Sequence, residues 1–177
     1  MKVLLIRPPY LDVSGIPPAG VGIPLGALSV AAYMEKKGHE VAIFDSLLYR
    51  DKVGDKTHFG ASLERIGGVV KEFKPDIIGV TNLFSTQMKK ALKVTEYIRS
   101  VYPRAKIVVG GPHATARPEE FLASPSIDIA VIGEGEITLA SIADHYANKI
   151  SIDNVKGVAY LKDGKMSSRT GKVVLGE

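Results

Sequence analysis

Three short stretches of this chain could bring backbone, hydroxyl and carboxyl groups to a ligand: residues 106–115 (KIVVGGPHAT), 81–86 (TNLFST) and 133–136 (GEGE). In the first, the apolar β-branched run Ile107, Val108, Val109 reads as a buried strand. It stops at Gly110, Gly111 and Pro112, with His113 next. A glycine pair at the carboxyl end of a strand removes the side chains that would hold off a flat or bulky ligand, and ligands of open parallel sheets gather at such ends. The same pair also suits a plain strand-to-helix turn that needs positive φ. In the second stretch Thr81, Asn82, Leu83, Phe84, Ser85 and Thr86 follow another apolar run, and Ser85 or Thr86 can cap the helix after it. In the third, Gly133, Glu134, Gly135 and Glu136 close a fifth run, where the glycines serve turn geometry or close approach equally well.

The positioning elements alternate. Strands are predicted over residues 3–6, 41–44, 77–80, 107–109 and 127–132. Between them, helices are predicted with buried faces of Leu25, Leu28, Ala31 and Ala32; of Leu63, Ile66, Val70 and Phe73; and of Ala91, Val94, Ile98 and Val101. A short helix is predicted from Pro118, and a last one buries Leu139, Ile142, Ala143 and Tyr146. Gly67 and Gly68 inside the second helix imply a kink or close packing on a neighbour. Residues 47–60 read as a polar, irregular surface loop, and the loop from Arg7 to Pro24 is longer than the ~2–6 residues usual for such connections, which suggests function. Five strand–helix units make an α/β fold: a doubly wound, five-stranded parallel sheet, flavodoxin-like or Rossmann-like, with 2-1-3-4-5 the common strand order. Residues 157–167 read as a C-terminal β-hairpin turning at Asp163-Gly164. The expected division is an α/β domain over 1–150, then hairpin and linker over 151–177. In this architecture Pro8, Pro9, Tyr10, Asp45 and the three stretches above share one sheet edge.

Composition narrows the chemistry. The chain has 177 residues, 45% hydrophobic and 24% charged, which fits one globular domain with a real core. No apolar run approaches the ~18–20 residues that span a bilayer, and the opening run of about four is too short for a signal peptide. A cytoplasmic protein is expected, with no membrane partner. The net charge of +4 is scattered along the chain, which argues for a solvated surface and no nucleic-acid partner. There is no cysteine, hence no disulfide, thiolate nucleophile or cysteine-held iron–sulfur cluster in this chain. A phospho-acceptor site would need an aspartate after the third strand, where Thr81-Asn82 stands, and neither glycine-rich nucleotide signature follows the first strand. The spacing leaves flavin mononucleotide open.

Taken together, RPP at 7–9, GIPLGALSVAAYMEKKGHEVAIFD at 22–45, PDIIGVTNLFST at 75–86, VVGGPHATARPEEFL at 108–122 and AVIGEGEITL at 130–139 resemble the N-terminal cobalamin-binding domain of cobalamin-dependent radical S-adenosylmethionine enzymes. The resemblance covers nearly the whole chain. It implies a cobalamin whose corrin ring rests on a platform that includes Pro8, Pro9 and Tyr10. The nucleotide tail would enter a slot beside Gly110, Gly111, Pro112 and His113, served by the hydroxyls of Thr81, Ser85 and Thr86. Asn82, Leu83 and Phe84 belong to the same loop, and Gly133, Glu134, Gly135 and Glu136 line the last approach. The cobalt-ligating Asp-x-His-x-x-Gly of other cobalamin domains is missing between Arg7 and Pro24, and His113 is expected to bond backbone or solvent rather than cobalt. S-adenosylmethionine and an iron–sulfur cluster are expected only in a C-terminal radical barrel that this chain lacks, so the chain by itself is expected to be non-catalytic. The other reading is a stand-alone flavodoxin-like domain for another small molecule or a protein partner.

Overall fold

The computed structural model describes residues 1–9, 22–53 and 56–169, which leaves Tyr10 outside. Strands β1 (Lys2–Arg7), β2 (Glu40–Asp45), β5 (Ile77–Thr81), β6 (Lys106–Gly110) and β7 (Ile129–Val131) run parallel in the spatial order β2-β1-β5-β6-β7. Among these five, that is the order 2-1-3-4-5. The hairpin of β8 (Val158–Lys162) and β9 (Lys165–Arg169) then joins β7 antiparallel, so the sheet has seven strands and is mixed. Both turn residues, Asp163 and Gly164, have positive φ, as a tight two-residue hairpin requires.

Each parallel strand is apolar on both faces because helices cover both. On one side Leu4, Ile6, Ile78, Val80, Ile107 and Val109 meet α2 (Leu63–Phe73), α3 (Met88–Val101), α4 (Pro112–Ala116) and α5 (Pro118–Leu122). On the other, Val3, Leu5, Ile77, Val108 and Val131 meet α1 (Leu25–Lys36) and α6 (Gly135–Tyr146). Gly67 is a packing glycine: a Cβ there would sit 2.8 Å from the Tyr97 ring. Across β6 and β7, Asp128 accepts from Arg99 and from the Ile107 N–H, each at 2.7 Å, which fixes the start of β6 against the end of α3.

Two expectations are corrected. The described residues within 47–60 do not form an irregular loop. Asp45 accepts from the Leu47 N–H at 3.0 Å and winds Ser46–Leu48 into a 3-10 turn that buries Leu47, and β3 (Arg50–Val53) pairs with β4 (Lys56–Phe59). In α1 the core residues are Ala31 and Met34, whereas Leu25 is 72% and Leu28 43% exposed. The helix starts at the sheet's carboxyl edge, so its first turn overhangs that edge and only its later turns reach the sheet.

Asp51 of β3 ties the small hairpin to α2. It accepts from Arg65 Nε and Nη2 at 2.8 Å and from the Ser62 N–H at 2.9 Å. The Arg65 guanidinium, then the Ser62 amide, hold its carboxyl at about 2 instead of 3.8. A carboxyl with a depressed folded-state value contributes stability that is complete above its unfolded value and lost as pH falls from about 4 towards about 2. Asp51→Asn should therefore flatten this acid limb and leave the neutral limb's shape unchanged. The effect should be small because Arg65 faces solvent. Urea midpoints between pH 2 and 7 measure it, and an undiminished acid limb in the variant would refute the assignment.

Candidate cofactor site

A cavity of about 720 Å³ opens at the carboxyl edge, between the sheet and helices α1 and α6. Leu5, Gly79, Val108 and Val131, one from each of β1, β5, β6 and β7, make its floor. Ala27 and Val30 of α1 and Leu139 of α6 wall it. Its volume lies within the ~300–1,000 Å³ typical of small-molecule sites, and its lining is mostly apolar with a few polar groups near the mouth, as such sites require. Gly79, in mid-strand, keeps the floor open: a Cβ there would stand 2.7 Å from Leu5 Cδ2. At Gly135 a Cβ would sit 3.0 Å from Val30 Cγ2, so this glycine lets α6 approach α1 beside the slot.

The residues singled out in the sequence divide into those at the cavity and those that hold its rim. Pro8, Thr81, Leu83, Gly110, Gly111, Pro112, Gly133, Glu134, Gly135 and Glu136 all line it. Pro9 does not; it packs on Gly60. Phe84 stands exposed at the edge beside Leu83, and Thr86 is exposed on the same turn. Asn82 is buried, and with its amide nitrogen towards the Phe84 carbonyl (3.2 Å) its oxygen accepts from the Met88 N–H (3.3 Å). Asn82 thus serves the start of α3 in the way expected of Ser85 or Thr86, neither of which caps a helix with its side chain.

Ser85 is instead engaged across the edge. Its Oγ lies 2.9 Å from His113 Nδ1, while His113 Nε2 lies 3.2 Å from Glu120 Oε2, out of line for a hydrogen bond. His113 is only 7% exposed and meets the Phe121 ring edge-on. The expected bond to backbone or solvent is therefore replaced by contacts to two side chains, because α4 begins at Pro112 and turns the imidazole inward.

Gly111 is the backbone special of this rim. It sits at φ 108° and ψ 178°, and a Cβ there would lie 2.6 Å from the Asn82 carbonyl oxygen. Its need for glycine comes from the neighbouring loop. The rim is tied further by the Asn82 N–H donating to the Gly110 carbonyl at 2.8 Å and the Gly133 N–H donating to Thr115 Oγ1 at 3.0 Å. Sequence reasoning missed Gly79, Val30, Gln87, Ile23 and Arg7 as lining residues. Of these, Gly79 alone carried a signal, as a glycine inside an apolar strand. Arg7 donates to Asp45 Oδ2 at 3.2 Å and to the Gly22 carbonyl at 2.6 Å, so it braces the mouth.

A doubly wound sheet with an apolar-floored slot under its strand ends, walled by two helices, defines a small-molecule-binding domain. Residues 12–143 match the B12 binding domain family, and the chain belongs to that family. It is 34% identical over 151 residues to the cytidylyl-2-hydroxyethylphosphonate methyltransferase of Streptomyces wedmorensis, a match that covers 81% of this chain and 28% of the relative. An uncharacterized methyltransferase of Pyrococcus horikoshii is 32% identical over 94% of this chain and 34% of its own length. Among solved structures, the cobalamin-dependent S-adenosylmethionine radical enzyme OxsB with aqua-cobalamin and S-adenosylmethionine bound superposes with a TM-score of 0.80 at 22% identity, over 98% of this chain and 22% of that one. The chain is thus a cobalamin-binding module similar to that of cobalamin-dependent radical S-adenosylmethionine enzymes. It spans about a third or less of these relatives. Among the described residues no helix is long and apolar enough to cross a membrane.

Proposed function

We propose that this module seats the corrin ring of cobalamin on its carboxyl edge, threads the nucleotide tail into the slot between the sheet and helices α1 and α6, and offers the cobalt to a radical barrel of the same protein. One observation carries the reading: the 720 Å³ slot opens directly beneath an exposed apolar rim of Ile23, Leu25 and Leu83, continued by Phe84. Large apolar side chains left in water at one site mark a surface meant to be covered, and a corrin ring is a flat cover of the right kind. The cavity also fits a tail in chemistry: its floor is apolar and open at Gly79, as a benzimidazole requires, and a few polar side chains, Thr81 and Glu136 among them, line it. When bound, cobalamin supplies a cobalt able to carry a methyl group. The chain's own residues bind and orient: Pro8 and Leu83 at the rim, Val30 and Leu139 along the slot, Thr81 as a hydroxyl at the mouth. Methyl transfer by the whole protein, with S-adenosylmethionine and an iron–sulfur cluster held by the barrel, belongs to the same proposal and is supported by the methyltransferase relatives. The test is direct. The purified chain is mixed with hydroxocobalamin, desalted, and its visible spectrum recorded; stoichiometric retention with an altered spectrum is expected, and a colourless protein overturns the reading.

The lower face of cobalt should have no histidine. Both His113 nitrogens face protein side chains, and the ring is buried behind Ser85. Paramagnetic resonance of the reduced, cob(II)alamin-loaded chain should lack axial nitrogen splitting, and His113→Ala should leave the spectrum as it was. A nitrogen-split signal that disappears in that variant would make His113 the ligand.

A further inference from the structure

Glu136 stands in the first turn of α6 and lines the slot, yet it is only 7% exposed. Its Oε1 accepts from Ser29 Oγ of α1 at 2.5 Å. Its Oε2 is buried and has no hydrogen-bond partner among the described residues. A glutamate in the first turn suits the helix dipole wherever it points, which accounts for its place in the sequence. The dipole does not account for a desolvated, unpartnered oxygen, because burial of such an atom is costly and native structures seldom leave it so without a reason. Ser29 fixes the carboxyl group in one orientation, a bond that crosses between the two helices that wall the slot.

We infer that Glu136, oriented by Ser29, accepts a hydrogen bond from a ribose hydroxyl of the cofactor's nucleotide tail. The inference rests on the cobalamin reading and deepens it. Within the nucleotide tail a carboxylate oxygen, which accepts only, selects its partner by elimination. The amide N–H donors of the corrin edge and linker are retained in cobinamide and so are separated by the test below. The tail's phosphate offers only acceptors and is anionic, so a carboxylate repels it; the benzimidazole nitrogen that leaves cobalt is also an acceptor. The ribose hydroxyls are donors, and a carboxylate is the group that other doubly wound domains place against a ribose hydroxyl. Glu136 is thereby a specificity-determining residue. It rewards a tail that carries a sugar and disfavours a ligand that places a phosphate at that depth.

The test compares hydroxocobalamin with diaquacobinamide, which keeps the corrin ring and the aminopropanol linker but lacks phosphate, ribose and base. Spectrophotometric titration of the parent should show clear preference for cobalamin. Glu136→Ala should weaken cobalamin about 10- to 100-fold, the range set by losing a hydrogen bond to a charged group, and leave cobinamide affinity unchanged. Ser29→Ala, which frees the carboxyl group but keeps it, should give the same selective loss in smaller measure, and guards against a fold defect in the first variant. Equal loss for both ligands, or none for either, overturns the role of Glu136 while cobalamin binding itself stands. A parent that binds cobinamide as tightly as cobalamin removes the tail from the slot and overturns the inference. A parent that binds neither overturns the cobalamin reading and the inference with it.

Discussion

Replacing Gly110 with leucine is expected to lower cobalamin affinity at least about 100-fold while the chain stays folded, a loss equivalent to about 2.7 kcal/mol. Gly110 ends β6 and lines the slot, in register with Thr81 of β5. A Cβ at this position meets only Val131 Cβ at 3.7 Å, an ordinary contact, and Gly110 is not among the positive-φ glycines. The backbone therefore accepts a side chain, but beyond Cβ the leucine has only the cavity to enter. Filling a preformed slot removes the space on which the tail depends and leaves the sheet's hydrogen bonds in place. Gly110→Ala is the graded control, with a much smaller loss. Retention of cobalamin after desalting and the urea midpoint separate binding from folding. A leucine variant that folds normally and binds like the parent would show that the tail does not pass Gly110.

Its neighbour should behave in the opposite way. Gly111→Ala is expected to destabilise the fold by about 3 kcal/mol or more, whether or not any ligand is present. Backbone at φ 108° and ψ 178° lies in a region that is close to glycine-only and costs other residues about 1–3 kcal/mol. The new methyl would also stand 2.6 Å from the Asn82 carbonyl oxygen, which the bond from the Asn82 N–H to Gly110 holds in place. Loss of native spacing between β5 and β6 at their carboxyl ends then adds to the strain. Equilibrium urea unfolding measures the effect, and a variant within about 1 kcal/mol of the parent would refute it. Two adjacent glycines, chemically identical in the sequence, thus separate into one that leaves room for a ligand and one that leaves room for another loop.

That distinction marks the limit of what the sequence could disclose. The parallel strands were legible because runs such as Ile107-Val108-Val109 are apolar on both faces, and the C-terminal hairpin because Asp163-Gly164 demands positive φ at both positions. The loops that form the site were legible too, since strand ends in this architecture must share an edge. Side-chain partnerships across that edge were not. Ser85 and Thr86 were the caps the sequence offered, and the inward turn of α4 at Pro112, which draws Ser85 to His113, leaves that place to Asn82. Leu25 and Leu28 were misplaced because periodicity reports an apolar stripe without saying how much of it the core receives; Leu25 lines the cavity instead and Leu28 stays exposed. The β3–β4 hairpin escaped notice because its residues are polar and it lies apart from the main sheet.

The ties among the three rim loops have a consequence for how a ligand is received. Asn82 to Gly110, Ser85 to His113, and Thr115 to Gly133 link each loop to the next across strands β5, β6 and β7. Loops at a strand's end ordinarily lose freedom when they close on a ligand, and that ordering subtracts from affinity. Here the ordering accompanies folding of the chain itself. These three loops are preorganised: together they behave as a rigid dock, and the free energy of covering their apolar surface is available to hold the guest rather than to assemble the host.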